Sequence, residues 1–249
     1  MLDSLIVKKL LKLQFSFRKP LTLCQKLYII LLTLCQILRK VVMGKYSTEK
    51  KQEARREEII DACEKLYQTL SFKEITMKEI STETSFTRPS IYNYFQTKEE
   101  IFLALLQREY VRWRNDLCDH AAVTTDLTPE GFAELIAHSL EKREQLLKLL
   151  STNYYEMEEN SRLERLTEFK IAVGKMFDCL TLILKKFFPD MTEAEQESFM
   201  ISFFPYMFAV YPYTHSSEKQ IAAMQAASLD YTPRSVYKIV YDFIIKIVK

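Results

Sequence analysis

The chain has 249 residues, 48% of them hydrophobic and 12% aromatic, which is enough to bury a sizeable core. Its three glycines form no Gly-rich loop that could wrap a phosphate, and this argues against nucleotide-binding α/β folds. The five cysteines are odd in number and lack CxxC spacing, so we expect reduced thiols in a cytoplasmic protein and neither a disulfide framework nor a zinc site. They are Cys24, Cys35, Cys63, Cys118 and Cys179.

The net charge of +2 is divided unevenly along the chain. Residues 1–46 contain nine lysines and arginines against one aspartate, a charge of +8, which leaves −6 for residues 47–249 by subtraction. A basic overall charge is therefore no argument for a nucleic-acid partner. Any such argument has to rest on the local placement of charge.

Residues 1–46 form a basic and apolar extension. The run LYIILLTLCQIL, residues 27–38, is apolar for twelve residues, fewer than the roughly 18 to 20 that span a bilayer. No small-residue cleavage site follows it, which argues against a secretory signal peptide. Three interpretations stay open: a membrane-surface or partner-binding extension, a marginal membrane anchor, or a translated upstream stretch that is not native. We favour the third, because MGKYSTEKKQEARREEII from Met43 looks like the opening of a cytosolic domain.

Helical periodicity dominates the rest of the chain, and runs typical of strands are few, so we predict an all-α fold. A first amphipathic helix starts near Thr48. Its apolar stripe has the i, i+3, i+4 spacing of a helix that buries one face. The stripe consists of Ile59, Ala62, Cys63, Leu66, Tyr67 and Leu70.

A second, short helix is predicted after Thr76, where T76-M-K-E79 has the pattern of a capping box. A third starts at Thr87, with Pro89 in its first turn, and runs to about Phe95. Ile91 and Phe95 lie four residues apart and share its buried side, which leaves polar side chains outside.

Two short helices joined by a tight turn, the second with an exposed polar start, are the ingredients of a helix-turn-helix, whose second helix enters the major groove of DNA. The segment T97-K-E-E100 repeats the capping pattern and opens a long helix. The sequence therefore predicts a three-helix head that contacts DNA.

The segments T76-M-K-E-I-S and F86-T-R-P-S-I-Y-N-Y-F-Q-T-K-E-E-I-F closely resemble the TetR family of bacterial regulators, over about residues 50–105. Where the family often has glycine in the turn before its recognition helix, this chain has Ser85 nearby. The resemblance implies phosphate contacts by Thr76, Thr87, Tyr92, Tyr94 and Lys98, and base contacts by Arg88, Pro89, Ser90 and Asn93.

The body continues as helices from Pro129 and from residue 161. Two further starts follow, at the capping box T192-E-A-E195 and at Pro233. Residues 198–213 are apolar nearly throughout, so we expect them to be buried on most sides, with Pro205 and Pro212 kinking or ending the helix.

The resemblance divides the chain into a helix-turn-helix domain at 47–108 and a helical ligand-binding and dimerisation domain at 109–249. Aromatic side chains of the body could line an apolar pocket for an unknown small-molecule effector, although packing is the commoner role of any one of them. The candidates are Tyr154, Tyr155, Phe177, Phe203, Tyr206 and Tyr211.

We therefore expect a transcriptional regulator, a ligand-responsive repressor that binds a palindromic double-stranded operator as a homodimer. The dimer is expected at residues 198–211 and at the C-terminal VYKIVYDFIIKIVK. An enzyme is not expected, because no HExxH, GxSxG or phosphate loop occurs, and we expect no cofactor or metal. The alternative is a membrane-associated helical interaction protein that uses the basic N-terminal segment.

Overall fold

The computed structural model describes residues 49–230 and 232–248, and within these ranges every regular element is a helix. The interpretations of residues 1–46 lie outside the described residues. The helices are α1 (49–67), α2 (Met77–Thr82), α3 (Arg88–Ile91), α4 (Lys98–Val123), α5 (Pro129–Glu141), α6 (Glu144–Thr152), α7 (Tyr154–Glu159), α8 (Leu163–Phe187), α9 (Glu193–Thr214), α10 (Glu218–Ala226) and α11 (Val236–Ile247).

The chain divides into two units, Met1–Arg56 and Glu57–Lys249. Of the first unit, residues 49–56 are described, and they are helical and mostly exposed. All further elements belong to the second unit. The division of the chain at residue 108 into a DNA-binding and a ligand-binding domain stays a prediction.

The predicted core of the head is confirmed, except that Leu66 and Leu70 are only partly buried and Leu70 lies beyond the end of α1. On α1, the side chains of Ile59, Cys63 and Tyr67 are buried, and Ile91 and Phe95 are fully buried on the segment that starts at α3. The i, i+4 spacing places the members of each set on one side of their segment, and the two sets belong to one hydrophobic core.

The third helix is shorter than predicted. It covers Arg88–Ile91, with Pro89 in its first turn, and residues 92–94 continue as turns before α4. Thr87 occupies the N-cap position, but its hydroxyl lies 3.0 Å from the Ser90 hydroxyl and makes no cap bond to the main chain. A single turn has little stability of its own, so its geometry depends on its surroundings.

The body is built from pairs of packed helices. Helix α4 packs along α8, α5 along α11, and α9 along α6. Trp113 of α4 lies at the centre: it is fully buried, its indole N–H donates to Ser139 Oγ at 2.9 Å, and its ring is 6.2 Å from that of Phe203. This arrangement satisfies the polar atom of a large apolar side chain inside the core.

Helix α9 corrects one prediction and narrows another. Pro205 and Pro212 lie inside the helix and neither ends it, so a kink at either proline stays a prediction. The segment is also not buried on most sides, since Ile201 is 63% and Tyr213 70% exposed. The apolar residues therefore cover two faces, one in the core and one open to solvent, and the proline at 205 is on the open side.

The expectation of reduced thiols is wrong for two cysteines. Cys118 of α4 and Cys179 of α8 form a disulfide, with their Cα atoms 6.4 Å apart. Their separation of 61 positions in the sequence gave no spacing signal, and the packing of α4 along α8 brings them together. Cys63 is free and buried, and burial raises the pKa of its thiol.

None of the helices in the described part of the chain is long and apolar enough to cross a membrane. Among the same residues, no group of three or more histidine, cysteine and acidic side chains is placed to hold a metal ion.

The capping box at Thr192 is confirmed, because its hydroxyl accepts from the Glu195 N–H at 3.3 Å and the Glu195 carboxylate accepts from the Thr192 N–H at 2.8 Å. We expect Thr192→Ala to lower the free energy of unfolding by about 1 kcal/mol. The matched control is Thr167→Ala in the second turn of α8, where the hydroxyl donates to the Leu163 carbonyl and caps no helix N-terminus. It should be neutral or slightly stabilising. Urea denaturation of both variants measures the difference, and equal losses would contradict the capping role.

Candidate nucleic-acid interface

The polar start of α3 forms an exposed surface, which we call the recognition face and define as Thr87, Arg88, Pro89, Tyr92 and Asn93. All five side chains are exposed, whereas Ile91 and Phe95 between them are fully buried. The buried pair holds the segment on the core, so that the polar side chains are directed outward. This is the arrangement that base and phosphate contacts require.

Arg88 and Tyr92 are paired on this face. The guanidinium donates to the Tyr92 hydroxyl at 3.1 Å and lies 5.8 Å from the centre of its ring. Because the two residues are four apart, they lie one above the other along the segment. The contact fixes the direction of Arg88 and leaves most of its five N–H donors available to a base or a phosphate.

Helix α1 braces the turn between α2 and α3. The Glu58 carboxylate accepts from the Ser85 N–H at 2.6 Å, and Lys65 Nζ forms an ion pair with Glu83, the C-cap residue of α2, at 2.6 Å. Ser228 is the one described non-glycine residue with positive φ, so Ser85 has an ordinary backbone conformation. The turn therefore does not need the glycine that the family often has there.

The residues expected to contact phosphate differ in their surroundings. Thr76 is exposed and caps α2, accepting from the Lys78 N–H at 3.2 Å, while its own hydroxyl donates to Glu79. Tyr94 is half-buried, with its ring 6.5 Å from that of Phe86. The capping residue thus stays accessible, and Tyr94 is partly committed to packing.

Lys98 is also engaged inside the protein. Its ammonium donates to the carbonyl oxygens of Phe72 at 2.7 Å and Ile75 at 3.1 Å, and it lies 4.3 Å from the centre of the Phe72 ring. An ammonium has three donors, so one remains for a phosphate. Its main structural effect is to join the start of α4 to the loop before α2.

The acidic residues of α1 pair with arginines of α4. The Arg108 guanidinium forms ion pairs with Glu57, Asp61 and Glu64, and its side chain is only 13% exposed. Arg112 bonds Glu64 as well, at 3.0 Å. Pairing lowers the negative potential that these carboxylates would otherwise contribute near a DNA backbone.

The carboxylate of Glu100 is the most deeply buried charge near the recognition face, since Glu100 is only 1% exposed. Arg162 binds it in a two-point contact, Nε to Oε1 at 2.6 Å and Nη2 to Oε2 at 2.8 Å. Burial by itself raises the pKa of Glu100, but the hydrogen bonds from Arg162 and from the Gln96 N–H outweigh it, so the pKa is lowered from its usual 4.5.

The sequence alone did not identify every candidate near this surface. Lys73 and Lys78 are exposed on either side of Thr76 along the chain, and their basic character was the available signal. Arg162 had none, because it lies 62 positions from Glu100.

The six aromatic candidates for effector binding differ in their surroundings. Phe203 is fully buried in the core, Tyr155 is 77% exposed, and Phe177 packs on Phe204 with ring centres 4.2 Å apart. Ligand binding by any of these three stays a prediction.

The other three candidates have partners within the body. Tyr154 accepts from Lys170 at 3.1 Å, Tyr206 donates to the Ile239 carbonyl at 2.9 Å, and the ring of Tyr211 stacks on that of His215. A cavity of about 780 Å³ lies elsewhere, between α4 and α5, and none of the six lines it. Its apolar walls include Leu117, Leu127 and Leu135, and its polar walls include Asp119, His120 and Glu134.

Two family profiles match adjoining parts of the chain. The one described as "Bacterial regulatory proteins, tetR family" covers residues 59–105, which contain the helix-turn-helix. The one described as "Tetracyclin repressor-like, C-terminal domain" covers residues 107–242, more than half of the chain. The chain belongs to the TetR family. This confirms the resemblance in residues 76–102 and extends it to the body, and it does not support the membrane-associated alternative.

Individual relatives of this TetR-family protein are distant. The uncharacterized HTH-type transcriptional regulator YfiR of Bacillus subtilis (strain 168) is 26% identical over 84 residues, which are 32% of this chain and 41% of YfiR. The chain thus spans about two fifths of the length of this curated relative.

Solved structures of similar fold include the fatty acid degradation regulator FadR from Bacillus halodurans, with 15% identity, a TM-score of 0.47 and coverage of 77% of this chain and 94% of that one. Another is the transcriptional regulator FadR from Bacillus subtilis in complex with stearoyl-CoA, with 14% identity, a TM-score of 0.47 and coverage of 78% and 99%.

The lowered pKa of Glu100 predicts a pH dependence of stability. A carboxyl group whose folded pKa lies below its unfolded one stabilises fully above the unfolded value and loses this contribution as pH falls through the folded value. We therefore expect the free energy of unfolding of the wild type to exceed that of Glu100→Gln by a constant amount above about pH 5.5, and the gap to narrow towards about pH 3.

Urea denaturation of both proteins across this range measures the gap. Glu79 and Asp242 also have lowered pKa values, but they are present in both proteins and their effects cancel. A gap that stays constant down to pH 3 would show that the Glu100 carboxylate is not stabilised in its charged form.

Proposed function

We propose that this protein is a sequence-specific DNA-binding transcriptional regulator that acts in the cytoplasm as a ligand-responsive repressor. The observation that carries the proposal is the recognition face, a set of exposed and mostly polar side chains on and beside one helical turn, whose apolar side chains Ile91 and Phe95 are fully buried. Glu58 and Lys65 of α1 hold the turn between α2 and α3 in place through their contacts with Ser85 and Glu83. Membership of the TetR family supports the same function.

Within this proposal the candidate DNA contacts divide by chemistry. Arg88 and Asn93 carry the donors and acceptors that can read base edges in the major groove, with Pro89 and Ser90 beside them. Thr76, Thr87, Tyr92, Tyr94 and Lys98 are the phosphate contacts. Lys98 has only one N–H donor left for a phosphate, and Tyr94 is half-buried, so these two are the weakest of the phosphate contacts.

A homodimer is supported by an exposed apolar stripe on adjoining helices. We define the stripe as Ile171, Gly174 and Leu182 on α8 and Ile201 on α9. Ile171 is 54% and Leu182 66% exposed, and a side chain added at Gly174 would meet no atom within 4 Å. Exposed apolar surface of this kind marks interaction sites, and a dimer matches two half-sites of a palindromic operator.

The C-terminal helix contributes less to this interface than the sequence suggested. Val236, Val240 and Ile244 of α11 are buried, and the helix packs on α5 and α9 of its own chain. Its apolar surface is thus largely used within the subunit. The dimer proposed here is centred on α8 and α9.

The effector remains a small molecule of unknown identity. The cavity between α4 and α5 has the size and the mixed apolar and polar lining of a ligand site. A ligand that binds more tightly to a form with low DNA affinity would release the operator by that difference in binding free energy.

The recognition face predicts distinct effects of two substitutions. Arg88→Ala should weaken binding to a duplex selected from a random pool by the wild type, by about 5- to 150-fold, because a bidentate base contact contributes about 1–3 kcal/mol. Asn93→Ala should reduce the preference for that duplex over unrelated DNA. Gel-shift titration at fixed salt measures both effects.

The matched control is Arg234→Ala, which removes an exposed arginine in the body. It should leave both quantities at their wild-type values. If Arg88→Ala and Asn93→Ala behave like this control, the assignment of the recognition face is wrong.

The apolar stripe predicts that Leu182→Glu converts the dimer to a monomer, because the change places a charge in a surface that association would bury. Leu229→Glu is the control, since Leu229 is 61% exposed and lies outside the stripe. Light scattering at micromolar concentration measures the mass. A wild-type monomer, or a Leu182→Glu variant that remains dimeric, would contradict the proposed interface.

A further inference from the structure

Residues at the junction of α7 and α8 contact the segment 94–100, which includes the end of the connection from α3 and the first turn of α4. The Thr97 hydroxyl donates to the Asn160 carbonyl at 3.0 Å, and the Arg165 guanidinium lies 6.0 Å from the centre of the Phe95 ring. Arg162 lies between Asn160 and Arg165 in sequence and makes the most hydrogen bonds to this segment. Residues of the body therefore hold the segment that follows α3 in place.

The Glu100 carboxylate collects four hydrogen bonds at this junction. Two come from the Arg162 guanidinium, one from the Arg162 main-chain N–H at 3.1 Å, and one from the Gln96 N–H at 2.8 Å. Arg162 Nη2 also reaches the Tyr94 carbonyl at 3.4 Å. One ion pair with a buried carboxylate thus connects the main chain at 94–96 to the start of α8, whose N-cap residue is Arg162.

We propose that Arg162 is a positioning residue for DNA recognition, which sets the orientation of α3 through Glu100 and the main chain at 94–96 without touching DNA. This inference rests on the proposed DNA-binding function. Helix α3 has only four residues, and one helical turn does not maintain its own direction. Its direction is therefore set by what holds its two ends, α1 on one side and Arg162 on the other.

The geometry of the pair suits this role. A guanidinium that binds both carboxylate oxygens fixes orientation as well as distance, which a lysine ammonium does not. A displacement of the N-terminal end of α8 would move Arg162, and through Glu100 it would move Gln96 at the exit of the recognition face. The pair thus provides a route by which the body can change the presentation of α3.

The test compares Arg162→Met and Arg162→Lys with wild type. The control is Lys170→Met, on the same helix, which removes an ion pair to Glu158 within the body. Hydrogen exchange of the amides at 94–96 is measured without DNA. Affinity for a duplex selected from a random pool by the wild type is measured as a function of salt.

For Arg162→Met we expect at least tenfold faster exchange at 94–96 and at least tenfold weaker binding, with the salt dependence of the wild type. Arg162→Lys should show smaller changes in the same direction, and Lys170→Met should behave as wild type. Loss of a direct phosphate contact would instead reduce the salt slope by about one.

Unchanged exchange at 94–96 would overturn the proposal, and so would a reduced salt slope, which would make Arg162 a phosphate contact. If circular dichroism shows that Arg162→Met does not fold, Arg162→Lys decides: exchange at 94–96 equal to wild type overturns the inference. A wild type that selects no duplex would refute the proposed function, whereas the exchange measurement would still test whether Arg162 holds this segment.

Discussion

The buried carboxylate of Glu100 is the constraint on which the arrangement of the candidate site depends. A charge that is 1% exposed is tolerated only when its oxygens are fully hydrogen-bonded. Here the donors come from two distant parts of the chain, Gln96 and Arg162. The hydrogen bonds to the Glu100 carboxylate therefore fix the position of Gln96, which follows α3, relative to the start of α8.

Charged side chains also hold the turn before α3. Arg108 forms ion pairs with three carboxylates of α1, and Glu58 of α1 accepts a hydrogen bond from the turn between α2 and α3. The recognition helix is only one turn long, and its ends are held by α1 and by Arg162. A short element of this kind can be precise because its neighbours hold it, since its own hydrogen bonds are too few.

The body combines a closed core with an open apolar surface. Trp113 and Phe203 are fully buried, whereas Ile171, Leu182 and Ile201 are exposed on neighbouring helices. Apolar residues on both faces explain why the hydrophobic pattern of α9 did not predict which side is buried. A continuous apolar run cannot distinguish the core of a subunit from a surface available to a second one.

The sequence predicted the features that depend on residues close together in the chain. The stripe of α1, the burial of Ile91 and Phe95, the cap at Thr192 and the exposure of Arg88 and Asn93 all follow from spacings of a few residues. The same short segment carried the family resemblance. These features arise from helix periodicity and capping, which are properties of contiguous sequence.

The tertiary structure decided the contacts that join distant segments. Lys98 bonds carbonyl groups 23 and 26 residues away, Cys118 reaches Cys179, and Arg162 reaches Glu100 across 62 positions. The aromatic candidates were likewise distributed among separate places by packing. The sequence by itself determined the helical fold, the family and the polar face of α3, and only packing determined which partners hold that face, because periodicity carries no information about which helices meet.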